Sequence, residues 1–208
     1  MSRLLTALAI SICIGYAPQA IAGTNDVADA TDSASIYGAF LDKWTGAEKK
    51  PINISARADA PTADALKEFS DCAGIDHWPP VAPINDLAGL VGQLPYVRLV
   101  DPDKWRPRDP GKLIAQGHSV EAAVDAGFAS GLTTFSAIAF DDAHTTAAFT
   151  FSFVCGGLCG SGRTVIFRHT PAGWVESETQ CGNWISQNPG GKPDDFVQSE
   201  FASRDGLI

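Results

Sequence analysis

Cys155 and Cys159 sit in the run FVCGGLCGSGRTVIF, residues 153–167, whose residue types admit phosphate, thiol and metal chemistry. Residues 157–164, GLCGSGRT, differ from the nucleotide-loop pattern GxxxxGK[ST] only in having Arg163 for the lysine. That pattern works when backbone N–H groups and a helix N-terminus surround the phosphates. Here the following residues, RTVIFRH, have the β-branched and aromatic character of a strand, so no helix is expected and the phosphate reading is disfavoured. Thiol exchange uses Cys-x-x-Cys at a helix N-terminus, where the dipole lowers the attacking thiol's pKa. Cys155 and Cys159 have one residue too many between them and lie at a strand end. A zinc site could draw on these two with Cys72 and Cys181, but structural zinc ligands come in tight pairs and Cys72 and Cys181 have no near partner. No metal and no cofactor is expected, and a disulfide clasping a hairpin turn is the favoured reading.

Other catalytic sets are equally incomplete. GFASG places Ser130 one position late for the GxSxG elbow of serine hydrolases, and HExxH is absent. Asp141-Asp142 and Asp194-Asp195 are carboxylate pairs that could act as acid and base, but both lie in turn-like sequence. His118 or His144 with an aspartate would be the core of a hydrolase assembled from scattered residues. His77-Trp78, ahead of two prolines, places an aromatic beside a histidine on a stiff loop, which suits ligand binding. The competing reading has Trp78 plugging the edge of the core.

The elements that must position these residues follow from hydrophobic spacing. Ile36, Phe40 and Trp44 recur every four residues, with Tyr37 and Leu41 widening the stripe, so a helix capped by Asp32 or Ser33 is expected to about Trp44. INISAR at 52–57 reads as a strand, ADALKEFSDC behind Thr62 as a helix, residues 86–94 as a short helix and YVRLV at 96–100 as a strand. HWPPVAPIND and DPDKWRPRDPG are proline-broken loops, and residues 112–131 are ambiguous between helix and irregular chain. Four β-rich runs follow at 133–140, 146–154, 163–169 and 173–179, separated by turn residues. Phe149, Phe151 and Phe153 alternate with Thr150 and Ser152, the period of a half-buried strand. The fold class is therefore α+β, with N-terminal helices packed on one face of a mainly antiparallel meander formed by the C-terminal third. In that meander Cys181 returns to the end of the sheet that holds the Cys155–Cys159 turn. Pairing Cys155 with Cys159 and Cys72 with Cys181 is favoured, and the two crossed pairings stay open.

The block from TTFSAIAFDD through CGGLCGSG to AGWVES, residues 133–178, resembles a C-terminal hairpin module of uncharacterised secreted bacterial proteins. The shared pieces are Ser136, Phe140-Asp141, Ala147-Ala148, the 155–162 turn and Gly173-Trp174. The resemblance implies a hairpin and an exported location, and carries no activity or catalytic residue.

The start of the chain agrees with export. Arg3, an apolar run from Leu4 to Ile14, and Ala20-Ile21-Ala22 have the layout of a signal peptide cut after Ala22. Cys13 would leave with it. The expected organisation is signal at 1–22, a flexible leader at 23–33, and one domain at 34–208. The formal charge of −9, one unit more negative without Arg3, disfavours nucleic acid and anionic lipid as partners. What remains is an acidic, periplasmic or secreted domain that binds a protein or a small molecule without catalysis. The alternatives are a hydrolase-like enzyme and, more weakly, a thiol oxidoreductase.

Overall fold

The computed structural model describes residues 25–157, 159–179 and 181–185, with side chains from residue 29 onward. The expected signal segment and the tail beyond 185 lie outside the described residues. In chain order the elements are α1 (Asn25–Thr45), β1 (Ile52–Ser55), α2 (Ala63–Ala73), α3 (Ala88–Val91), β2 (Val97–Val100), α4 (Pro110–Ala115) and α5 (Val120–Ser130). Then come β3 (Leu132–Phe135), β4 (Ala139–Phe140), β5 (Thr146–Gly156), β6 (Cys159–Thr170), β7 (Gly173–Glu176) and β8 (Cys181–Ile185). The class is α+β. Among the described residues no helix is long and apolar enough to cross a membrane.

One mixed sheet runs in the order β2-β1-β3-β5-β6-β7, with β4 paired to β5 and β8 paired to β6. The C-terminal strands are antiparallel, as their short links require, and β1 adds to them in parallel with β3 on one side and β2 on the other. TTFSAIAF, expected as one strand, is broken: β3 and β4 both pair with β5, and residues 136–138 bulge between them. Ser136 holds the bulge by accepting the Thr150 N–H at 2.9 Å on its hydroxyl. β7 and β8 likewise share the far edge of β6.

Strand alternation sorts the core into two faces. Phe149, Phe151, Phe153, Val165 and Phe167 point to one side, where α1 contributes Ile36, Tyr37, Phe40 and Leu41, all without solvent exposure. Phe40 meets Phe149 at 5.4 Å and Phe151 at 4.9 Å between ring centroids. The Tyr37 hydroxyl, buried with them, donates to Ser136 O at 2.7 Å. Ala148 and Ile166 point to the other side, where Phe69 of α2 and Trp78 form a second cluster. Helices therefore cover both faces, against the single covered face expected. The small side chains of Ala139 and Ala148 leave the room that Phe69 and Trp78 fill.

Local chemistry explains most of the ends. Thr62 caps α2 by accepting the Ala65 N–H, and Gly74 closes it in the left-handed conformation at φ 69°. Ser119 caps α5 on Ala122 N, and Asp109 caps α4 on Lys112 N with Pro110 opening the helix. The ambiguous 112–131 stretch is thus helical at both ends. α1 departs from expectation, because it starts at Asn25 and residues assigned to a flexible leader are helical. Asp29 and Asp32 of this first part face His144 in the turn before β5, which ties it to the sheet.

Candidate functional site

The glycine-cysteine run is a tight hairpin tip. β5 extends to Gly156 and β6 begins at Cys159, so the turn is much shorter than the 155–162 link read from sequence. Cys155 is bonded to Cys159 across it, with Cα atoms 5.0 Å apart. A bulge between Val154 and Gly156 turns Cys155 into the core, where it is fully buried. Gly156 has φ 134°, and a Cβ there would lie 2.8 Å from Pro110 Cδ. Glycine is required on both counts. The tip N–H of Gly157 does meet an oxyanion, but it is the Asp109 carboxylate of this same chain, at 3.0 Å. That bond and the cap on Lys112 N hold the Asp109 carboxyl below its ordinary value.

Arg163, at the position of the nucleotide-loop lysine, is also engaged internally. It donates to Glu176 Oε1 at 2.8 Å and lies 5.5 Å over the Phe40 ring. Lys43 Nζ reaches the other Glu176 oxygen at 3.1 Å. The Glu176 side chain is only 7% exposed and Arg163 20%, so this is a desolvated ion pair with a third, exposed charge on its rim. The run is architecture, and its one cation neutralises a buried carboxylate.

The second bridge joins Cys72 of α2 to Cys181 of β8, with Cα atoms 6.0 Å apart and a sequence separation of 109. Cys181 stands opposite Thr164, midway along β6, and β8 then climbs to Ile185 opposite Ser161. Cys181 therefore lies partway along the edge and not at the hairpin end expected for it. The difference arises because β7 stops at Glu176 and the chain resumes the same edge as β8. Beside this bridge Glu68 of α2 accepts a hydrogen bond from Thr164 Oγ1, and its carboxylate packs over Gly182, which sits at φ 59°.

Among the histidines, His144 has the densest surroundings. It lies in the Asp141–Thr146 turn at φ 53°, with Nε2 2.8 Å from Asp32 Oδ2 and Nδ1 3.7 Å from Asp29 Oδ1. Its ring stacks on Phe140 at 4.4 Å and meets the Trp174 edge at 5.7 Å. Burial works against the Asp32 charge, but hydrogen bonding to His144, the Trp174 indole and the charges of His144 and His169 outweigh it. The carboxyl is held below its ordinary value. Trp174 Nε1 is buried with no hydrogen-bond partner among the described residues, so it acts on Asp32 as a dipole and not through a formed bond. A general base needs one imidazole nitrogen free to take a proton. Both nitrogens here face carboxylates.

The other candidates resolve individually. Asp141 accepts the N–H groups of Thr145 at 2.7 Å and Thr146 at 2.8 Å and the Thr145 hydroxyl at 2.9 Å, so it is a turn-former, while Asp142 is exposed. Burial opposes the Asp141 charge and those three bonds win, leaving its carboxyl below the ordinary value. Trp78 is 6% exposed and packs edge-on against Phe69 at 5.9 Å, so it plugs the second cluster, whereas its neighbour His77 is exposed. Any ligand contact by that pair would fall to His77. His118 is exposed after α4, and exposed His169 rests against Trp174 at 4.9 Å. Asp194-Asp195 lies outside the described residues. No group of three metal-ligating side chains converges among the described residues.

One concave feature was not legible as a site in the sequence. Residues 105–108, WRPR, which belong to no helix or strand, run beside the C-terminal half of α5 and form with it an open groove of about 350 Å³ lined by Trp105, Arg106, Arg108, Ala126, Ala129 and Ser130. Trp105 Nε1 donates to Ser130 O at 2.9 Å, and Arg108 N donates to Ser130 Oγ at 2.8 Å. Ser130 in turn donates to Ala126 O at 2.7 Å. The near-miss nucleophile of the sequence is thus the pin that fastens the groove's two walls. The signal available was Arg-Pro-Arg, two cations two residues apart with proline stiffening the link between them. Compared with protein-family models, with curated proteins and with solved structures, the chain matches none.

Proposed function

We propose that this chain is an exported, disulfide-stapled domain that binds its partner without catalysing a reaction on it. The carrying observation is the state of the reactive groups: His144 has carboxylates at both ring nitrogens, and every mature cysteine is in a bridge. No attacking thiol is left among the four bridged cysteines, and the one histidine set against aspartates among the described residues has a carboxylate on each side of its ring. Export is supported by the N-terminal Arg3, apolar run and Ala20-Ile21-Ala22, by the resemblance of residues 133–178 to a secreted module, and by the two bridges themselves.

Two measurements test this. Expressed with its own N-terminus in a bacterium, the protein is expected in the periplasm or medium beginning at Gly23, by N-terminal sequencing. Alkylation of that native material at neutral pH is expected to label no cysteine. Two labelled cysteines would refute the structural bridges, and cytoplasmic retention with an intact N-terminus would refute export. The enzyme alternative has one observation in its favour, the 2.8 Å contact of Asp32 with His144. Ester or amide hydrolysis that disappears in His144→Ala would establish it over the binding reading.

A further inference from the structure

We infer that the groove between residues 105–108 and α5 is an oxyanion-binding site for a small organic anion, a carboxylate or phosphate carried on a compact apolar body. The inference deepens the binding reading and rests on it.

Charge pairing is the first argument. The chain has 24 acidic residues against 15 lysines and arginines, so unpaired arginines are not expected to gather by chance. Yet among the described residues neither Arg106 nor Arg108 has a carboxylate within ion-pair distance, and Arg98 beside them lies 4.9 Å over the Trp105 ring. Three carboxylates on the same segment have their hydrogen bonds directed elsewhere. Asp103 takes both forks of Arg57 at 2.8 Å, Asp101 holds Lys104 at 3.0 Å, and Asp109 caps α4 and holds Gly157 N–H. Asp103 acts on Arg106 only through space, so the donors of Arg106 and Arg108 are not taken up by these acids.

Preorganisation is the second. Arg106 is steadied by donating from one terminal nitrogen to Trp105 O at 2.7 Å, which leaves its other N–H groups available. Arg106 and Arg108 flank Pro107, are both exposed and both line the groove, two residues apart on a link stiffened by proline. Two guanidinium forks at that spacing can share the oxygens of one phosphate or grip one carboxylate. The Ser130 pin keeps the segment on α5, whose Asn53-capped end is fixed in turn by Asn53 Nδ2 donating to Ala129 O and Gly131 O. The methyl groups of Ala126 and Ala129 and the Trp105 indole give an apolar wall for the rest of the ligand. The overall negative charge repels a long polyanion, so a small one fits better.

The test titrates uniformly ¹⁵N-labelled oxidised protein with phenyl phosphate, benzoate and inorganic phosphate, following the Arg108 amide and the Trp105 indole N–H by NMR. Saturable shifts at these signals are expected for phenyl phosphate or benzoate, and weaker ones for inorganic phosphate, which lacks the apolar body. The stronger of the two aromatic probes identifies the oxyanion. Arg106→Ala and Arg108→Ala should each weaken that binding about tenfold, equivalent to about 1.4 kcal/mol. Arg106→Lys, which keeps the charge and loses the fork, should fall between. Lys50→Ala, an equal charge change at an exposed residue paired to Glu48, should leave binding unchanged. No saturable shift with any probe, or equal weakening by Lys50→Ala, would overturn the site. Because the alkylation and sequencing results do not involve the groove, that failure would leave the exported, bridged domain standing.

Discussion

Removing the two bridges separately should produce very unequal losses. A cross-link restricts the unfolded chain in proportion to the logarithm of the loop it closes. Cys72–Cys181 spans 109 residues, worth about 4.8 kcal/mol at 25 °C on the chain-entropy relation. Cys155–Cys159 spans 4, worth about 1.9 kcal/mol. Packing narrows the gap, because Cys155 is fully buried and truncating it to alanine adds roughly 1 kcal/mol. The Cys72→Ala/Cys181→Ala variant should therefore lose about 5 kcal/mol and Cys155→Ala/Cys159→Ala about 3 kcal/mol. Against a total stability of about 5–15 kcal/mol, the first loss leaves the fold marginal. Equilibrium urea unfolding of the oxidised proteins, followed by tryptophan fluorescence, measures both. The long-bridge variant should also show a steeper m-value, since its unfolded chain is freer to expand. An equal or larger loss from the short-loop variant would refute the account of the long bridge as the main staple between α2 and the sheet.

Breaking the buried ion pair with Arg163→Met should cost about 3 kcal/mol in the same assay, the low end for such a pair because Lys43 still reaches Glu176. Arg163→Met combined with Glu176→Leu should recover most of that loss, and no recovery would contradict a desolvated pair. Gly156→Ala should lower stability by about 2 kcal/mol, from the φ of 134° and the approach to Pro110. That is a fall in Tm of roughly 4–8 °C by circular dichroism, and an unchanged Tm would remove the conformational argument. The Asp32 carboxyl is depressed in the folded state, so its contribution is present above the ordinary value of 3.8 and lost as pH falls through its folded value. His144→Gln removes the main lowering partner while burial remains, so the Asp32 midpoint should rise in a ¹³C NMR titration and acid unfolding should begin at higher pH. An unmoved midpoint would show that His144 does not hold Asp32.

What could be read from sequence was what short-range physics determines. Phe149, Phe151 and Phe153 alternate because one face of β5 is buried, and Ile36, Tyr37, Phe40 and Leu41 recur because one side of α1 is. Thr62 and Gly74 mark α2 by their own backbone chemistry. The favoured disulfide pairing matches the bonds found, although the route to it put Cys181 too near the hairpin tip. Nothing local placed β1 between β2 and β3, since parallel pairing depends on crossovers through α2, α3 and α5. The coverage of both sheet faces was hidden because Ala147 and Ala148 are both apolar and break the alternation that would have named one buried side. His144 and Asp32 are 112 residues apart, and no spacing rule links them. The groove was missed for a different reason. Prolines do keep residues 101–109 out of regular structure, although α4 opens at Pro110 within the expected loop, and no spacing rule marks an irregular segment as a wall.

Irregularity is what lets that wall serve. A strand or helix would have used the N–H of Arg108 in its own ladder, whereas here it goes to Ser130 Oγ and fastens the segment to α5. Pro107 removes one donor that would otherwise need a partner and lowers the entropy of holding Arg106 and Arg108 in register. The same logic explains why the groove lies apart from the bridges. Cys72–Cys181 fastens the β6 edge to α2, while the groove is secured near β1 by Asn53 on the end of α5. Unzipping the β8 edge would leave the bonds of Asn53, Trp105 and Ser130 intact, so reduction should reach stability before it reaches the groove. A ligand at the arginines would in turn be read out on α5 and β1, not at the cysteines.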